Sequence, residues 1–370
     1  MRVGILTFHM AHNYGAMLQA YALCRTVRSL GVKCEVIDYR LPEIYEYYRK
    51  ENLEDAIIKN GYLIGLLKFI KWHITGYYRR DKRWLLFHRF MTNDIGISGK
   101  CLSKKEDLLK LDYDAYICGS DQIWNKDLTG GIKGEYYCDF AKESALKISY
   151  AASRGVNFLT DDEKNEILKL LSNFDFISVR EAEFQKYLSE NTDLDVRLVL
   201  DPSLLITCED WKQIAKPSKL NDYVLIYKVE KNDLIYELAR RIAKEKRLEI
   251  VEITYQNDTS LIDVIQLENV GPKEFVGLIE SAEFVITNSF HGTGFSILFN
   301  KDFYCIPHSK FRSRTDSLLS ELGLGSRCIT DAEKYNVNEH IDYTVAYKKL
   351  NDLRKISIKF LKNALFNREQ

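Results

Sequence analysis

The sequence alternates short runs rich in β-branched and aromatic residues with segments of helical periodicity, and this alternation constrains the fold most. Strands joined by helices form parallel sheets, because each helix crosses back over the sheet before the next strand begins. The pattern predicts a first series of strands at 3–8, 33–38, 113–118, 147–152, 176–179 and 197–200. It predicts a second series at 223–229, 249–254, 284–287 and 303–306. We therefore expect an α/β protein with two units that face one another across a cleft.

The two series of strands also suggest the domain boundaries. Residues 1–205 are predicted to form the first domain, with a helical insertion at about 41–100, and residues 206–335 the second. Residues 336–370 are predicted to be mostly helical and to pack back on the first domain. A chain of 370 residues is long enough for two domains with substantial cores.

Composition limits the partners that this chain is expected to have. Its 53 Lys and Arg residues balance 53 Asp and Glu residues, which argues against a general nucleic-acid-binding surface. The eight cysteines form no CxxC motif and no His/Cys cluster, so we expect no metal site and a reducing compartment. The N-terminal sequence does not resemble a signal peptide, and no apolar run reaches membrane-spanning length. A cytoplasmic location is therefore the expectation.

Residues 283–300 pass from an apolar strand through Asn-Ser-Phe-His-Gly-Thr-Gly into an amphipathic helix. A helix that follows a strand in this way directs unpaired N–H groups and a positive dipole end at the ligand crevice. His291 adds a titratable donor there, and Gly292 and Gly294 would let a ligand approach the backbone. The alternative is that the glycines only form a tight turn. The predicted anion-binding residues are Ser289, His291, Gly292 and Thr293.

Two further loops follow predicted strands of the first domain. In residues 9–16, His12, Asn13 and Tyr14 are candidates for ligand contact, although Asn13 is equally typical of a helix cap. In the second loop, Asp121 is a candidate base, and Trp124 offers a flat face of the kind on which sugars stack. An Asp that caps a helix would have the same sequence pattern.

Arginines occur after two other predicted strands. Arg180 supplies the planar fork that suits a carboxylate or a phosphate; the alternative is an ion pair with Glu181 or Glu183. Arg312 and Arg314 precede a predicted helix at 317–322 and would reach a bound phosphate, unless they only contribute surface charge.

Residues 59–90 depart from the alternating pattern because they are aromatic and cationic. One hypothesis is that this segment lies on an anionic membrane surface, with its aromatic rings near the headgroups. The favoured alternative is a pair of helices that covers the sheet or forms a dimer contact. The rings concerned are Trp72, Tyr77, Tyr78 and Trp84.

The motifs NYGAMLQAYAL, GSDQIWN, SVRE, LDPSLL and TNSFHGTGFSILFNK occur in this order between residues 3 and about 325. Taken together they resemble the polysaccharide pyruvyl transferase family. The resemblance implies a fold like that of GT-B glycosyltransferases, with two Rossmann-like domains. It also implies that phosphoenolpyruvate donates its pyruvyl group to two hydroxyls of one sugar, which forms a cyclic ketal and releases phosphate. Arg180 and His291 match the family residues that bind the donor or act on it.

Such a reaction requires cationic groups for a carboxylate and a phosphate, together with a general acid and a general base. His291 is the candidate proton donor or phosphate clamp, and Asp121 the candidate that orients or deprotonates the acceptor. No cofactor is expected beyond phosphoenolpyruvate as co-substrate. The acceptor is expected to be a sugar or a lipid-linked oligosaccharide. The donor-binding candidates are Arg180, Ser289, His291, Gly292, Thr293, Arg312 and Arg314, and the acceptor-binding candidates are His12, Asn13, Tyr14, Asp121 and Trp124.

Two other functions fit the same sequence features. One is a GT-B glycosyltransferase that binds a nucleotide sugar at the helix after His291. The other is a glycan-binding partner without catalytic activity, which would use Trp124 and the surface of residues 59–90.

Overall fold

The computed structural model describes residues 1–48, 57–58, 61–64, 66–67, 69–70, 80–155, 160–309, 312–336 and 339–366. Its first sheet has six parallel strands in the order β2-β1-β3-β4-β5-β6. The strands are β1 (Arg2–Leu6), β2 (Lys33–Val36), β3 (Ala115–Asp121), β4 (Leu146–Ala152), β5 (Phe176–Val179) and β6 (Val196–Leu198).

The second sheet has five parallel strands in the order β11-β10-β7-β8-β9. Ile286 of β10 pairs with Ile226 of the central strand β7, and helices cover both faces, which explains the nearly continuous apolar runs in these strands. The strands are β7 (Tyr223–Tyr227), β8 (Glu249–Ile253), β9 (Ile265–Leu267), β10 (Phe284–Thr287) and β11 (Asp302–Cys305).

Helices connect the strands as the alternating pattern predicted. Around the first sheet they are α1 (Tyr14–Ser29), α2 (Pro42–Tyr48), α3 (Arg80–Phe90), α4 (Lys105–Leu108), α5 (Lys126–Thr129), α6 (Asp161–Leu171) and α7 (Ala182–Asn191). After the first sheet they are α8 (Cys208–Ile214), α9 (Asp233–Lys246), α10 (Pro272–Ser281), α11 (Phe290–Leu298), α12 (Arg312–Leu322) and α13 (Tyr343–Phe366).

Strand β9 was missing from the sequence prediction. It has only three residues, lies at the edge of its sheet, and is partly exposed, so it lacks the apolar run that marks the buried strands. Other differences are small: β6 stops at Leu198 instead of residue 200, where its pairing with β5 ends. The prediction of an α/β protein with two parallel sheets is confirmed.

Strand order locates the ligand crevice. In each sheet the connections change direction at one point, between β1 and β3 in the first and between β7 and β10 in the second. Ligands of open α/β sheets bind at such points, beyond the carboxyl ends of the strands. In this chain β3 ends at Asp121, and β10 is followed by Ser289 and His291.

Aromatic packing fixes the two units against each other. The ring of Tyr14, on α1, stacks on Phe275 of α10 at 4.5 Å between centroids, and its hydroxyl donates to the carbonyl oxygen of Val270 at 2.9 Å. The Arg83 guanidinium lies 3.6 Å from the ring centre of Tyr255. These contacts cross between the two sheets, so they hold the walls of the crevice in a defined orientation.

Helix α13 returns to the end of the first sheet. The Ser357 hydroxyl accepts a hydrogen bond from the backbone N–H of Leu200 at 2.9 Å, and Arg354 Nε donates to the carbonyl oxygen of Leu204 at 2.9 Å. The domain boundaries proposed near residues 205 and 335 stay predictions.

The insertion at 41–100 is described in part. Trp72, Tyr77 and Tyr78 lie outside the described residues, whereas Trp84 belongs to α3, which packs against the second unit. Among the described residues, no helix combines the length and the apolarity that crossing a bilayer requires.

Replacing Gly119 tests how closely the backbone packs beneath the crevice. Gly119 has φ of 121°, and a Cβ placed on it would lie 2.1 Å from the carbonyl oxygen of Tyr150. Gly131 has φ of 123° but meets nothing within 4 Å. We expect Gly119→Ala to lower the free energy of unfolding by at least about 2 kcal/mol more than Gly131→Ala, because only the first adds a clash to the backbone strain. Urea unfolding measures both, and equal losses would contradict the packing.

Candidate active site

A cavity of 520 Å³ opens where the carboxyl ends of β3 and β10 meet. Both units contribute to its wall, so a molecule bound there would contact both. The lining residues that matter most for chemistry are Asn13, Asp121, Ser289, His291, His308 and Arg314.

His291 lies in the first turn of α11, whose N-cap is Ser289. The Ser289 hydroxyl accepts from the backbone N–H of Gly292, at 3.4 Å. On the other side of the imidazole, a Cβ placed on Gly15 would come within 2.1 Å of His291 Nδ1. Any side chain larger than that of glycine would clash with the imidazole at this point of α1. The first turn of α1 therefore packs directly against His291 of α11.

Asp201 joins the two residues that the sequence assigned to the donor. Its carboxylate accepts a hydrogen bond from Arg180 Nη1 at 2.5 Å and lies 3.5 Å from His291 Nε2. The backbone N–H and the hydroxyl of Ser203 also donate to it, at 2.9 and 2.7 Å. Burial alone would raise the pKa of this carboxyl, but the charges of His291 and Arg180 outweigh burial and hold the pKa well below its usual value. Asp201 is therefore ionised.

Arg180 is buried just behind the cavity wall and is not among the described lining residues. Its guanidinium lies 5.0 Å from the ring centre of Phe290, which does line the cavity. The expected contact with Glu181 exists at 3.7 Å, but Asp201 is the closer partner. Burial would lower the pKa of Arg180, and the neighbouring carboxylates reverse that effect and raise it. Arg180 thus lies one layer behind the cavity wall, and its predicted contact with the donor stays a prediction.

Several buried polar atoms around Asp201 have no hydrogen-bond partner among the described residues. They are Nε and Nη2 of Arg180, Oε2 of Glu181 and Nε2 of His291. Since unsatisfied buried groups are rare in native proteins, such a cluster is typical of a site that a polar ligand completes.

Arg314 brings a second guanidinium to the cavity. Burial, together with the charge of Arg180 nearby, lowers its pKa to about 10, so it stays cationic at neutral pH. Two arginines from different units therefore create a local excess of positive charge. Arg312 begins α12, and its side chain lies outside the described residues.

Carboxylates and a second histidine occupy other parts of the wall. Asp121 ends β3 with φ of 77°, and its Oδ1 accepts from the backbone N–H of Gln122 at 2.8 Å. His308 lies with Nδ1 3.7 Å from a carboxylate oxygen of Glu230. The sequence prediction missed His308, although its position just after β11 follows the same rule that pointed to Asp121 and His291.

The remaining predicted donor residues serve the packing of α11. The Thr293 hydroxyl donates to the carbonyl oxygen of Ser289 at 3.1 Å, inside the protein. A Cβ on Gly292 would lie 2.3 Å from the Thr287 hydroxyl oxygen, so this glycine faces protein and does not face a ligand. The backbone N–H groups of the first turn, next to His291, have no acceptor within the helix. This helix end is therefore still the place where an anion is predicted to bind.

The predicted acceptor residues are distributed differently from the expectation. Asn13 and Asp121 line the cavity, and Asn13 also caps α1 by accepting from the N–H of Gly15 at 2.8 Å. The ring of Trp124 is 4% exposed and stacks on the ring of Tyr137. Its indole nitrogen donates a hydrogen bond to the carbonyl oxygen of Tyr136.

Tyr14 is fully buried between the two units, and the ring of His12 stacks on Phe87 at 5.2 Å. Neither residue belongs to the described cavity wall, and neither does Trp124. Aromatic packing already occupies the rings of His12, Tyr14 and Trp124, and their roles in acceptor binding stay predictions.

A comparison with protein families settles the relationship that the motifs suggested. The model of the family described as polysaccharide pyruvyl transferase matches residues 13–310. The chain belongs to this family. No curated protein sequence matches the transferase.

One solved structure confirms the GT-B-like fold, and others are similar to the chain. A putative UDP-N-acetylglucosamine 2-epimerase from Listeria monocytogenes aligns over 98% of this chain and 90% of its own, with a TM-score of 0.50 and 10% identity. The UDP-GlcNAc 2-epimerase from Neisseria meningitidis, bound to UDP-GlcNAc, aligns over 98% of this chain and 97% of its own, with a TM-score of 0.49 and 11% identity. At such identities the similarity concerns the fold alone.

The partly buried position of His12 predicts a pH effect on stability. Burial, with the nearby Arg83 and His88, lowers the pKa of its imidazole from 6.5 to about 4. Between these values the unfolded state binds a proton that the folded state does not, so stability falls as the pH falls. We expect the transferase to lose about 2 kcal/mol more than a His12→Gln variant between pH 6.5 and 4, measured by urea unfolding. Equal losses in both proteins would contradict this assignment.

The Asp201 contact predicts non-additive mutations. Asp201→Asn removes the closest carboxylate partner of the buried Arg180 charge, and Arg180→Met leaves the buried carboxylate with fewer partners, so each is expected to cost about 3 kcal/mol or more. The double variant removes both charges and should cost at least about 1 kcal/mol less than the sum of the single changes. Chemical unfolding of the four proteins closes the cycle. Strict additivity would mean that the two groups are not energetically coupled.

Proposed function

We propose that the protein transfers the pyruvyl group of phosphoenolpyruvate to two hydroxyls of a sugar residue during the synthesis of a surface polysaccharide. A proton adds to the methylene carbon, and one sugar hydroxyl bonds to the neighbouring carbon. The bond between that carbon and the phosphate oxygen breaks, and the second hydroxyl closes the ketal. Of the two protons that the hydroxyls lose, one balances the proton added to carbon and the other leaves with phosphate.

The observation that carries this proposal is the cluster at Asp201, where a guanidinium from one unit and an imidazole from the other converge with unsatisfied donors. Phosphoenolpyruvate combines a carboxylate and a phosphate on a three-carbon skeleton, so it requires concentrated positive charge. Arg314 and His291 would contact it directly from the cavity wall. Arg180, one layer behind, would add its charge and hold Asp201 in place.

The proton transfers need groups on both sides of the bound donor. We assign His291 to the donor side, where it would protonate the methylene carbon or stabilise the departing phosphate. Asp121, which lines the same cavity at the end of β3, would orient or deprotonate the attacking hydroxyl. His308, which lies close to the Glu230 carboxylate, is an additional candidate to receive a proton.

The acceptor would occupy the part of the cavity formed by the first unit. Glu43, Tyr48 and Asp127 line this part beside Asp121. Carboxylates and a phenol ring suit a neutral sugar, since they accept hydrogen bonds from its hydroxyls and cover its apolar face. This half of the cavity is acidic, in contrast to the cationic half around Arg314.

The expected cytoplasmic location stays a prediction.

Ligand-dependent stability separates this proposal from a glycosyltransferase that uses a nucleotide sugar. A ligand that binds only the folded state raises the melting temperature, whereas a molecule that does not bind leaves it unchanged. We expect millimolar phosphoenolpyruvate to raise the melting temperature and UDP-sugars to leave it unchanged. Stabilisation by UDP-sugars alone would overturn the assignment of the donor.

Turnover tests the roles of individual residues. In an assay for glycan-dependent release of phosphate from labelled phosphoenolpyruvate, we expect His291→Ala to reduce kcat at least about a hundredfold, because it removes a group that acts on developing charge. Asp121→Asn should reduce kcat with a smaller effect on the affinity for phosphoenolpyruvate. The matched control is His340→Ala, an exposed histidine outside the cavity, which should keep normal turnover. A His291→Ala enzyme with normal kcat would exclude His291 from the mechanism, and a wild-type protein that binds glycans without turnover would be a non-catalytic partner.

A further inference from the structure

An exposed apolar surface lies on the segment between α2 and α3. Within residues 58–70, six large apolar side chains are between 43 and 82% exposed. Folded proteins rarely leave so many large apolar groups in water over such a short stretch unless another surface covers them. We call this set the apolar surface. Its members are Ile58, Tyr62, Leu63, Ile64, Leu67 and Ile70.

The sequence around the apolar surface is strongly cationic. Residues 59–90 contain eight Lys or Arg and one Asp, although the whole chain carries no net charge. Arg83, one of the eight, is buried against Tyr255 and is not available to headgroups. Apolar side chains among many cations match a bilayer whose headgroups are anionic. They do not match a second copy of the same surface, because two such segments would bring like charges together.

The ends of this segment are fixed at the rim of the active-site cavity. The ring of Tyr48, at the end of α2, lies 5.7 Å from the ring of His12, and the ring of Trp84, on α3, lies 6.2 Å from it. Tyr48 lines the cavity, and so does Asn13, the neighbour of His12. The described residues on either side of the segment, Tyr48 and Trp84, therefore lie together beside His12, the neighbour of the cavity-lining Asn13.

We propose that the apolar surface docks on an anionic lipid bilayer and thereby brings the acceptor side of the cavity to the membrane. The apolar side chains would enter the boundary between headgroups and acyl chains, while the surrounding Lys and Arg residues contact anionic headgroups. A lipid-linked acceptor would then reach the cavity without leaving the bilayer. That last step rests on the proposed pyruvyl transfer, whereas membrane docking does not.

Vesicle flotation tests the docking without any substrate. We expect the purified full-length protein to float with vesicles of phosphatidylglycerol and phosphatidylcholine, and to bind pure phosphatidylcholine vesicles much more weakly. Salt at 1 M should weaken binding, since screening removes the attraction between charges. The triple variant Ile58→Gln, Leu63→Gln, Leu67→Gln should lose at least about tenfold in vesicle partitioning, because three apolar groups no longer enter the lipid.

The matched control replaces three equally exposed apolar residues elsewhere, as Ile262→Gln, Val345→Gln, Ile356→Gln. This control should bind vesicles like the wild type. Wild-type protein that stays with the aqueous phase, or equal losses in both triple variants, would overturn the proposal. A dimer in solution that only the first triple variant converts to a monomer, without vesicle binding by the wild type, would assign the surface to a second copy.

The same variants separate this inference from the assignment of activity. The first triple variant should release phosphate from phosphoenolpyruvate at the wild-type rate with a water-soluble glycan acceptor. With an acceptor embedded in anionic vesicles, the rate should fall at least about tenfold. Normal rates in both assays would overturn the role in acceptor delivery. Vesicle binding by a protein without any phosphate release would refute the pyruvyl transfer and leave the docking intact.

Discussion

One buried carboxylate holds the active site together. Asp201 receives a hydrogen bond from Arg180, contacts His291, and is fixed by the backbone and hydroxyl of Ser203. A buried guanidinium is costly without a negative partner, and the same charge keeps the imidazole beside it. Since Arg180 follows β5 and His291 follows β10, this contact also joins the two sheets. The position of the predicted donor site therefore depends on a residue between the two units.

Close packing around the rest of the crevice leaves its side chains and helices little room to move. Gly15 has no room for a side chain because the His291 ring lies against it, and Tyr14 next to it stacks on Phe275 of the second unit. The first turn of α1 thus contacts both the catalytic candidate and the opposite domain. A change in the angle between the units would move His291 relative to Asp121 across the cavity.

The charges of the cavity are divided between its halves. Arg314 and the His291 helix end line the space assigned to the donor, Glu43 and Asp127 line the space assigned to the acceptor, and Asp121 lies close enough to Arg314 to act on its pKa. Such a division favours one orientation of two substrates of different charge. Tyr48, which ends the helix before the apolar surface of residues 58–70, lines the cavity, and this connects the proposed docking with the proposed chemistry.

The sequence by itself determined the α/β fold, most strand positions and the two helix starts that surround the cavity. These features are local, because hydrophobic period, capping residues and glycines act within a few neighbours. The motif order also identified the family that the comparison confirmed. Only the tertiary structure decided which candidates meet: it placed Arg180 behind Phe290, added His308, and packed His12, Tyr14 and Trp124 against other aromatic rings. An aromatic ring that stacks on a sugar and one that fills a core have the same sequence pattern, because their exposure depends on residues that are distant along the chain.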